Sequence, residues 1–191
     1  MRPANILLTI TVVLLGLSAG FFVTYQISVM PGLALTNDQV FVQSMQGINA
    51  AVRSAPFALI FFGPLPLLLA TAAAARRRVI AVPLLASALL YGFGLLGVTF
   101  AGNVPLNEML ATRLDSADAA AARLAHGGPW NRLNAIRTGC VLAAYAVVVA
   151  AAIFLGRPAE KAPTRTRARH PWSGRVAPWN PLRTVRRRVP T

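Results

Sequence analysis

The sequence predicts an all-α membrane protein, a bundle of four transmembrane helices with an outward-facing amphipathic helix between the third and fourth and a disordered basic tail. Apolar residues make up 55% of the 191 residues and charged residues only 13%, whereas soluble domains carry about one quarter charged residues. Four stretches of 19 to 24 residues contain no charge at all. The formal net charge of +14 therefore comes from residues outside these stretches.

The four uncharged stretches, at 6–29, 54–75, 79–102 and 138–156, predict four membrane-spanning helices. A helix of about 20 residues crosses the hydrocarbon core of a bilayer. Backbone amides in lipid must be bonded within the chain, and these stretches lack the alternation of a β-barrel. The first stretch is longer than the apolar part of a signal peptide, so we expect it to be retained. Residues 1–156 then form one membrane domain.

The basic residues predict the orientation. Residues 1–5, 76–78 and 157–191 hold 14 of the 19 Lys and Arg residues. Because positive loops stay on the cytoplasmic side, we expect a multi-pass protein of the cell membrane with both termini in the cytoplasm. The longer connections, 31–53 and 103–137, would then face outward.

The segment 157–191 is predicted to be a disordered cytoplasmic tail. It holds ten Lys and Arg residues and six prolines and has no apolar run, so it cannot bury enough surface to fold. We expect it to bind anionic lipids of the bilayer. Nucleic-acid binding is the alternative for such a basic segment, but we favour the lipid and expect no nucleic-acid partner.

Polar side chains gather at the outward ends of all four predicted spans. Burying amides and a guanidinium near the membrane is costly unless they are paired, which predicts one shared polar cluster. The cluster is either an ordinary membrane interface or the rim of a small-molecule pocket. The candidate binding and catalytic residues are Tyr25, Gln46, Asn49, Asn103, Asn107, Glu108, Trp130, Asn134 and Arg137.

Two of these candidates have structural alternatives. Asn103 precedes Val104-Pro105, a pattern typical of a helix N-cap, and the helix it would start has Leu106, Leu110 and Leu124 on one side. Arg137 is either a ligand-binding group or a helix-entry anchor paired with Glu108.

No pattern of metal or cofactor ligands is present in the sequence. Cys140 is the single cysteine, and the two histidines, His126 and His170, fall on opposite sides of the predicted membrane. Gly-rich phosphate loops and nucleophile elbows are missing. We therefore expect neither a metal nor a cofactor.

Five segments resemble a known family. They are Gly20 to Tyr25, Val29 to Gly32, Met45 to Asn49, Asn103 to Asn107 and Trp130 to Thr138. In this order they resemble the DUF1772, or anthrone oxygenase-like, family of small four-helix membrane proteins, over about residues 15–154. The sequence departs from the family pattern in having Leu133 and Ala135 where the family often has Trp and His.

The resemblance implies oxidation of an anthrone-type, polyketide-like polycyclic phenol by O₂ without metal or flavin. The substrate would form a stabilised carbanion that gives an electron to O₂. Arg137, Asn107 and Asn134 would stabilise the enolate oxygen, while Trp130 and Tyr25 stack on the rings. Glu108 by position, or His126 by its ordinary pKa near neutrality, would be the base.

Two other classes of function remain open from the sequence. A non-catalytic small-molecule carrier or an accessory subunit of a membrane complex would need the same bundle. A transporter or channel is disfavoured, because no charged residue lies inside a span and the spans show no inverted repeat.

Overall fold

The computed structural model describes residues 3–75, 78–112 and 118–156, and the predicted tail lies outside them. Within these residues the chain is helical and contains no strand. Four of its helices are long and apolar enough to cross a membrane, and we call them spans one to four: Asn5–Ala34, Ala55–Ala74, Arg78–Ala111 and Ala119–Ile153. The all-α class and the multi-pass membrane protein are confirmed. The orientation and the tail stay predictions.

Spans one and two are joined by a separate amphipathic helix, here called the connecting helix. Asn37 caps its N-terminus by accepting a hydrogen bond of 2.9 Å from the Val40 N–H. Span two divides at Gly63. The helices of this half of the chain are Pro3–Thr24, a π-helical turn Tyr25–Val29, Met30–Ala34, the connecting helix Asp38–Ala51, and Ala55–Phe62 and Pro64–Ala74 of span two.

Span three runs without a break over 34 residues, although it changes its helix type. It is α-helical over Arg78–Leu89, π-helical over Leu90–Gly97 and Thr99–Asn103, and α-helical again over Val104–Ala111. Span four is a single α-helix, Ala119–Gly156. π-Helical turns are rare and occur frequently at functional sites.

The predicted N-cap at Asn103 is wrong. The helix after it, Val104–Ala111, continues span three, so Asn103 has helical backbone angles (φ −67°, ψ −36°) and makes no capping bond. Leu110 is fully buried as the apolar pattern predicts. Leu124 is 84% exposed, because it lies on the separate helix of span four.

The spans pack through an apolar core with a few hydrogen bonds between helices. Tyr91 of span three donates a hydrogen bond of 2.8 Å to the Phe61 carbonyl, and its hydroxyl lies 2.8 Å from Ser18 Oγ. A second buried cluster, which includes Phe41, Met45 and Trp130, joins the connecting helix to the ends of the spans. We call the end that the connecting helix covers the polar end.

Candidate small-molecule site

A cavity of about 530 Å³ lies at the polar end, with walls from all four spans and the connecting region. This volume is typical of small-molecule sites. Its aromatic lining consists of Phe21, Phe22, Tyr25, Phe57, Phe61, Phe62, Phe100 and Trp130. Seven of the nine residues singled out in the sequence also line it: Tyr25, Asn49, Asn107, Glu108, Trp130, Asn134 and Arg137.

Arg137 forms a buried positive end of this cavity, with only 5% of its surface exposed. One guanidinium nitrogen donates to Thr99 Oγ1 at 3.2 Å and the other terminal nitrogen donates to Asn134 Oδ1 at 3.0 Å. The guanidinium also lies 4.9 Å from the ring centre of Phe22 and 5.2 Å from that of Trp130. Neutral groups and aromatic faces therefore hold the charge in place.

Within the described part of the chain, no carboxylate pairs with Arg137. Its Nε atom is buried and has no acceptor. The predicted alternative, an ion pair with Glu108, is absent from these residues. A buried cation without a counter-ion is costly, and an anionic ligand in the cavity would offset that cost.

Asn134 positions the guanidinium. Its side chain is fully buried, accepts from Arg137 through Oδ1, and donates through Nδ2 to Gln26 Oε1 at 2.9 Å. Gln26 belongs to the π-helical turn of span one. The chain of amides therefore connects span four to span one and fixes the direction of the Arg137 fork.

Asn107 is held in place by a hydrogen bond from His126. His126 Nε2 lies 3.3 Å from Asn107 Oδ1, so the imidazole donates a hydrogen bond to the amide oxygen. His126 is fully buried, with its ring edge-on to Phe41 and stacked on Trp130 at centroid distances of 6.2 and 6.1 Å. His126 does not line the cavity, whereas Asn107 does.

Trp130 and Tyr25 form one aromatic wall, with ring centroids 5.9 Å apart. Trp130 is only 4% exposed, and its Nε1–H is buried without an acceptor. Asn49 Nδ2, from the connecting helix, is likewise buried and unpaired. With Arg137 Nε, three residues of the cavity lining have a buried donor that lacks an acceptor. This excess of hydrogen-bond donors favours a ligand rich in oxygen acceptors.

Two of the predicted site residues do not line the cavity. Asn103 is 1% exposed and donates a hydrogen bond of 3.3 Å to the Trp130 carbonyl, which joins spans three and four beside the site. Gln46 donates a hydrogen bond of 2.9 Å to the Leu110 carbonyl. Both residues support the walls through backbone carbonyls.

Charged groups lie at the edge of the cavity as well. Glu108 and Arg53 both line it and are exposed, and among the described residues neither forms an ion pair. Arg53 was not singled out in the sequence, since it lies at the start of a span where a basic residue is ordinary. The cavity lining therefore carries two cations, Arg53 and Arg137, and one carboxylate.

Several functional contacts escaped the sequence analysis. Thr99 and Gln26 bind Arg137 and Asn134 from two other spans, and Phe22 covers the guanidinium face. Gln26 and Thr99 are both polar residues within π-helical turns, but such turns are not visible in the sequence.

No group of three or more His, Cys, Asp or Glu side chains able to hold a metal ion occurs in residues 3–75, 78–112 and 118–156. The expectation of no metal and no cofactor remains a prediction.

The fold and the cavity define a class: small helical membrane proteins with an aromatic, donor-lined pocket at one end of the bundle. The sequence model of the anthrone oxygenase family matches residues 57–147. Over these residues the chain is similar to the anthrone oxygenase family, as the resemblance in the sequence predicted. No curated protein and no solved structure matches the chain.

Proposed function

We propose that the protein is a membrane oxygenase that converts an anthrone-type polycyclic phenol into a quinone with O₂. The observation that carries this proposal is the buried guanidinium of Arg137, which has no carboxylate partner among the described residues, at an aromatic cavity of about 530 Å³. Phenyl and indole faces suit a planar ring system, and the cation suits an enolate oxygen. The family match of residues 57–147 supports the same chemistry.

The reaction needs a proton acceptor and a stabilised anion. Removal of a proton from the methylene carbon of the anthrone gives an enolate, which passes an electron to O₂ and then forms a carbon–oxygen bond with the resulting superoxide. The peroxide anion formed in this way takes up the proton, and the resulting hydroperoxide loses water, which leaves a carbonyl. One O₂ is consumed, one oxygen atom enters the quinone and the other leaves as water.

Arg137 and Asn107 are the groups proposed to hold the enolate oxygen. Arg137 Nε is buried without an acceptor, and Asn107 is bonded to His126 through its amide oxygen, which leaves its amide nitrogen for a ligand. Asn134, in contrast, uses its oxygen and one amide hydrogen within the protein. We therefore assign Asn134 a positioning role. Removing one donor of this kind from an oxyanion site lowers kcat by about 10²–10³.

Glu108 is the proposed general base, because it is the carboxylate that lines the cavity among the described residues. His126, the other candidate of the sequence analysis, lies behind Asn107 and does not line the cavity. Proton transfer requires the acceptor to reach the substrate within hydrogen-bonding distance, directly or through one water. Glu108 meets this condition more readily than His126.

The test is oxygen uptake and quinone formation by the purified protein with emodin anthrone, with the uncatalysed oxidation subtracted. We expect one O₂ per quinone, and a loss of about 10²-fold or more in Arg137→Ala and Asn107→Ala. Arg132→Ala is the matched control, because Arg132 is exposed on the same helix and does not line the cavity. A wild-type rate equal to background oxidation would reject the activity for this substrate. If Arg137→Ala and Asn107→Ala reacted at the same rate as Arg132→Ala, the proposed site would be rejected.

A non-catalytic carrier or accessory protein is the second candidate. It is favoured by the exposure of Glu108, which is open to solvent instead of enclosed with a substrate. A carrier would bind the quinone and the anthrone with similar affinity and consume no oxygen. The oxygen-uptake experiment therefore separates the two candidates.

We also propose that both termini are cytoplasmic, that the protein resides in the cell membrane and that the basic tail binds anionic lipids. The distribution of Lys and Arg supports this orientation. A reporter that works only in the cytoplasm is expected to be active when it is fused after Thr191. Activity of a periplasmic or extracellular reporter at that position would contradict the orientation.

A further inference from the structure

The cavity has a second, apolar edge that the polar site residues do not explain. Its polar edge is formed by Arg53, Ser54 and Glu108, all exposed. On another side, the cavity is bounded by Phe62 of span two and Phe100 of span three, which are 48% and 54% exposed. Two large apolar side chains that line a cavity and are also half uncovered mark a place where the cavity reaches the surface of the bundle.

This edge is a seam between two helices that diverge. Spans two and three pack closely through Pro64–Ala74 and Arg78–Leu89, but Ala55–Phe62 has no comparable backbone contact with Thr99–Asn103. The seam is bridged by side chains: the Phe62 and Phe100 rings stack with centroids 6.2 Å apart and an angle of 22° between their planes. Rings can change rotamer without any movement of the helices.

The length of span two and the exposure of both rings indicate that the seam faces the hydrocarbon of the bilayer. Span two has 20 residues, or about 30 Å of helix, which equals the thickness of the hydrocarbon core. Arg53 precedes this helix and Arg78 follows it closely, so the span cannot slide far along the membrane normal. Phe62 lies seven residues after Ala55, or about 10 Å inside the core.

We propose that Phe62 and Phe100 form a lipid-facing gate through which the polycyclic ligand and O₂ pass between the bilayer and the cavity. The identity of the ligand rests on the proposed function. A planar apolar phenol partitions into lipid, and O₂ is more soluble in hydrocarbon than in water. The lateral route therefore delivers both reactants without passing the charged edge at Arg53 and Glu108.

A reversible cross-link across the seam tests the gate. Phe62→Cys and Phe100→Cys are combined in a Cys140→Ala background, since Cys140 is the only natural cysteine, and the full chain in nanodiscs is joined by a short bis-thiosulfonate. Emodin, the quinone, is the probe. Its association and dissociation are followed by quenching of Trp130 in a Trp172→Phe, Trp179→Phe background.

If the two rings form a gate, the cross-link should slow association and dissociation of emodin alike, each by about tenfold or more, and leave the dissociation constant unchanged. Both rates should recover when the cross-link is reduced. The single variants Phe62→Cys and Phe100→Cys, treated with the same reagent, control for labelling. Phe93→Cys is a further control, because Phe93 is 75% exposed on span three and does not line the cavity.

Three results would overturn the inference. Unchanged rates in the cross-linked protein would show that the ligand uses another route. A change in dissociation alone would make the two rings part of the binding site. Failure of a lipid-soluble maleimide to label either cysteine would place the seam inside an oligomer.

The gate and the proposed oxidation fail in different ways. Binding of emodin without oxygen uptake on the anthrone would reject the oxidation and leave the gate measurable. No binding of emodin to the protein without a cross-link would overturn the gate together with the proposed substrate class.

Discussion

Replacing Arg137 by lysine separates the geometry of the guanidinium from its charge. Lysine keeps the positive charge but has no planar fork, so it cannot donate to Thr99 and Asn134 at the observed 3.2 and 3.0 Å while also stacking on two rings. Hydrogen bonds from a charged group contribute about 1.5–3 kcal/mol each, and a desolvated cation–π contact about 2 kcal/mol.

The expected result follows from which of these contacts lysine loses. Loss of one charged hydrogen bond and of the second aromatic contact displaces the cation, and a misplaced donor in an oxyanion site lowers kcat by about 10²-fold. We expect kcat for emodin anthrone to fall by this factor, with a smaller change in KM. The assay is quinone formation under saturating oxygen, with thermal unfolding measured in parallel.

Arg132→Lys is the matched control, because it makes the same exchange at an exposed position on the same helix. It should leave both the rate and the unfolding temperature unchanged. If Arg137→Lys oxidised the anthrone at the wild-type rate, the fork geometry would be irrelevant, and the reasoning from the Arg137 contacts would be refuted.

The remaining predictions concern the residues around this centre. Asn134→Asp places a carboxylate beside the guanidinium, so emodin should bind about tenfold more weakly without loss of thermal stability; unchanged affinity would contradict it. His126→Leu should lower kcat about tenfold with KM nearly constant, while His126→Gln, which can still donate to Asn107, should restore most of it. Gly94→Ala meets the Cys140 side chain and should destabilise the protein by about 1–3 kcal/mol in a chemical unfolding assay, relieved in part by Cys140→Gly.

The spans were predictable because lipid imposes a simple requirement. Any helix that crosses it must be about 20 apolar residues long, and four stretches satisfy that condition. The predicted ends were less accurate. Span four was expected to begin at 138 but begins at Ala119, because Asn134 and Arg137 make hydrogen bonds inside the bundle with partners that no local pattern reveals.

The polar cluster could be predicted from the sequence, but the hydrogen-bond partners within it could not. Amides at several span ends predicted a shared site, and seven of the nine candidates line one cavity. The roles depend on tertiary contacts: Asn103 bonds to the Trp130 carbonyl instead of capping a helix, and His126 supports Asn107. A capping pattern describes local preference, and the continued helix of span three overrides it.

The family match and the cavity together divide the site into two parts. Asn107, Trp130, Asn134 and Arg137 fall within the matched residues 57–147. Other lining residues, including Phe21, Phe22 and Tyr25 of span one, precede the matched region. Stabilising an oxyanion depends on fixed donors, whereas selecting a ring system depends on the shape of the aromatic lining. Under the proposed function, the matched segment supplies the charge stabilisation, and the N-terminal part of the chain determines which polycyclic substrate fits against it.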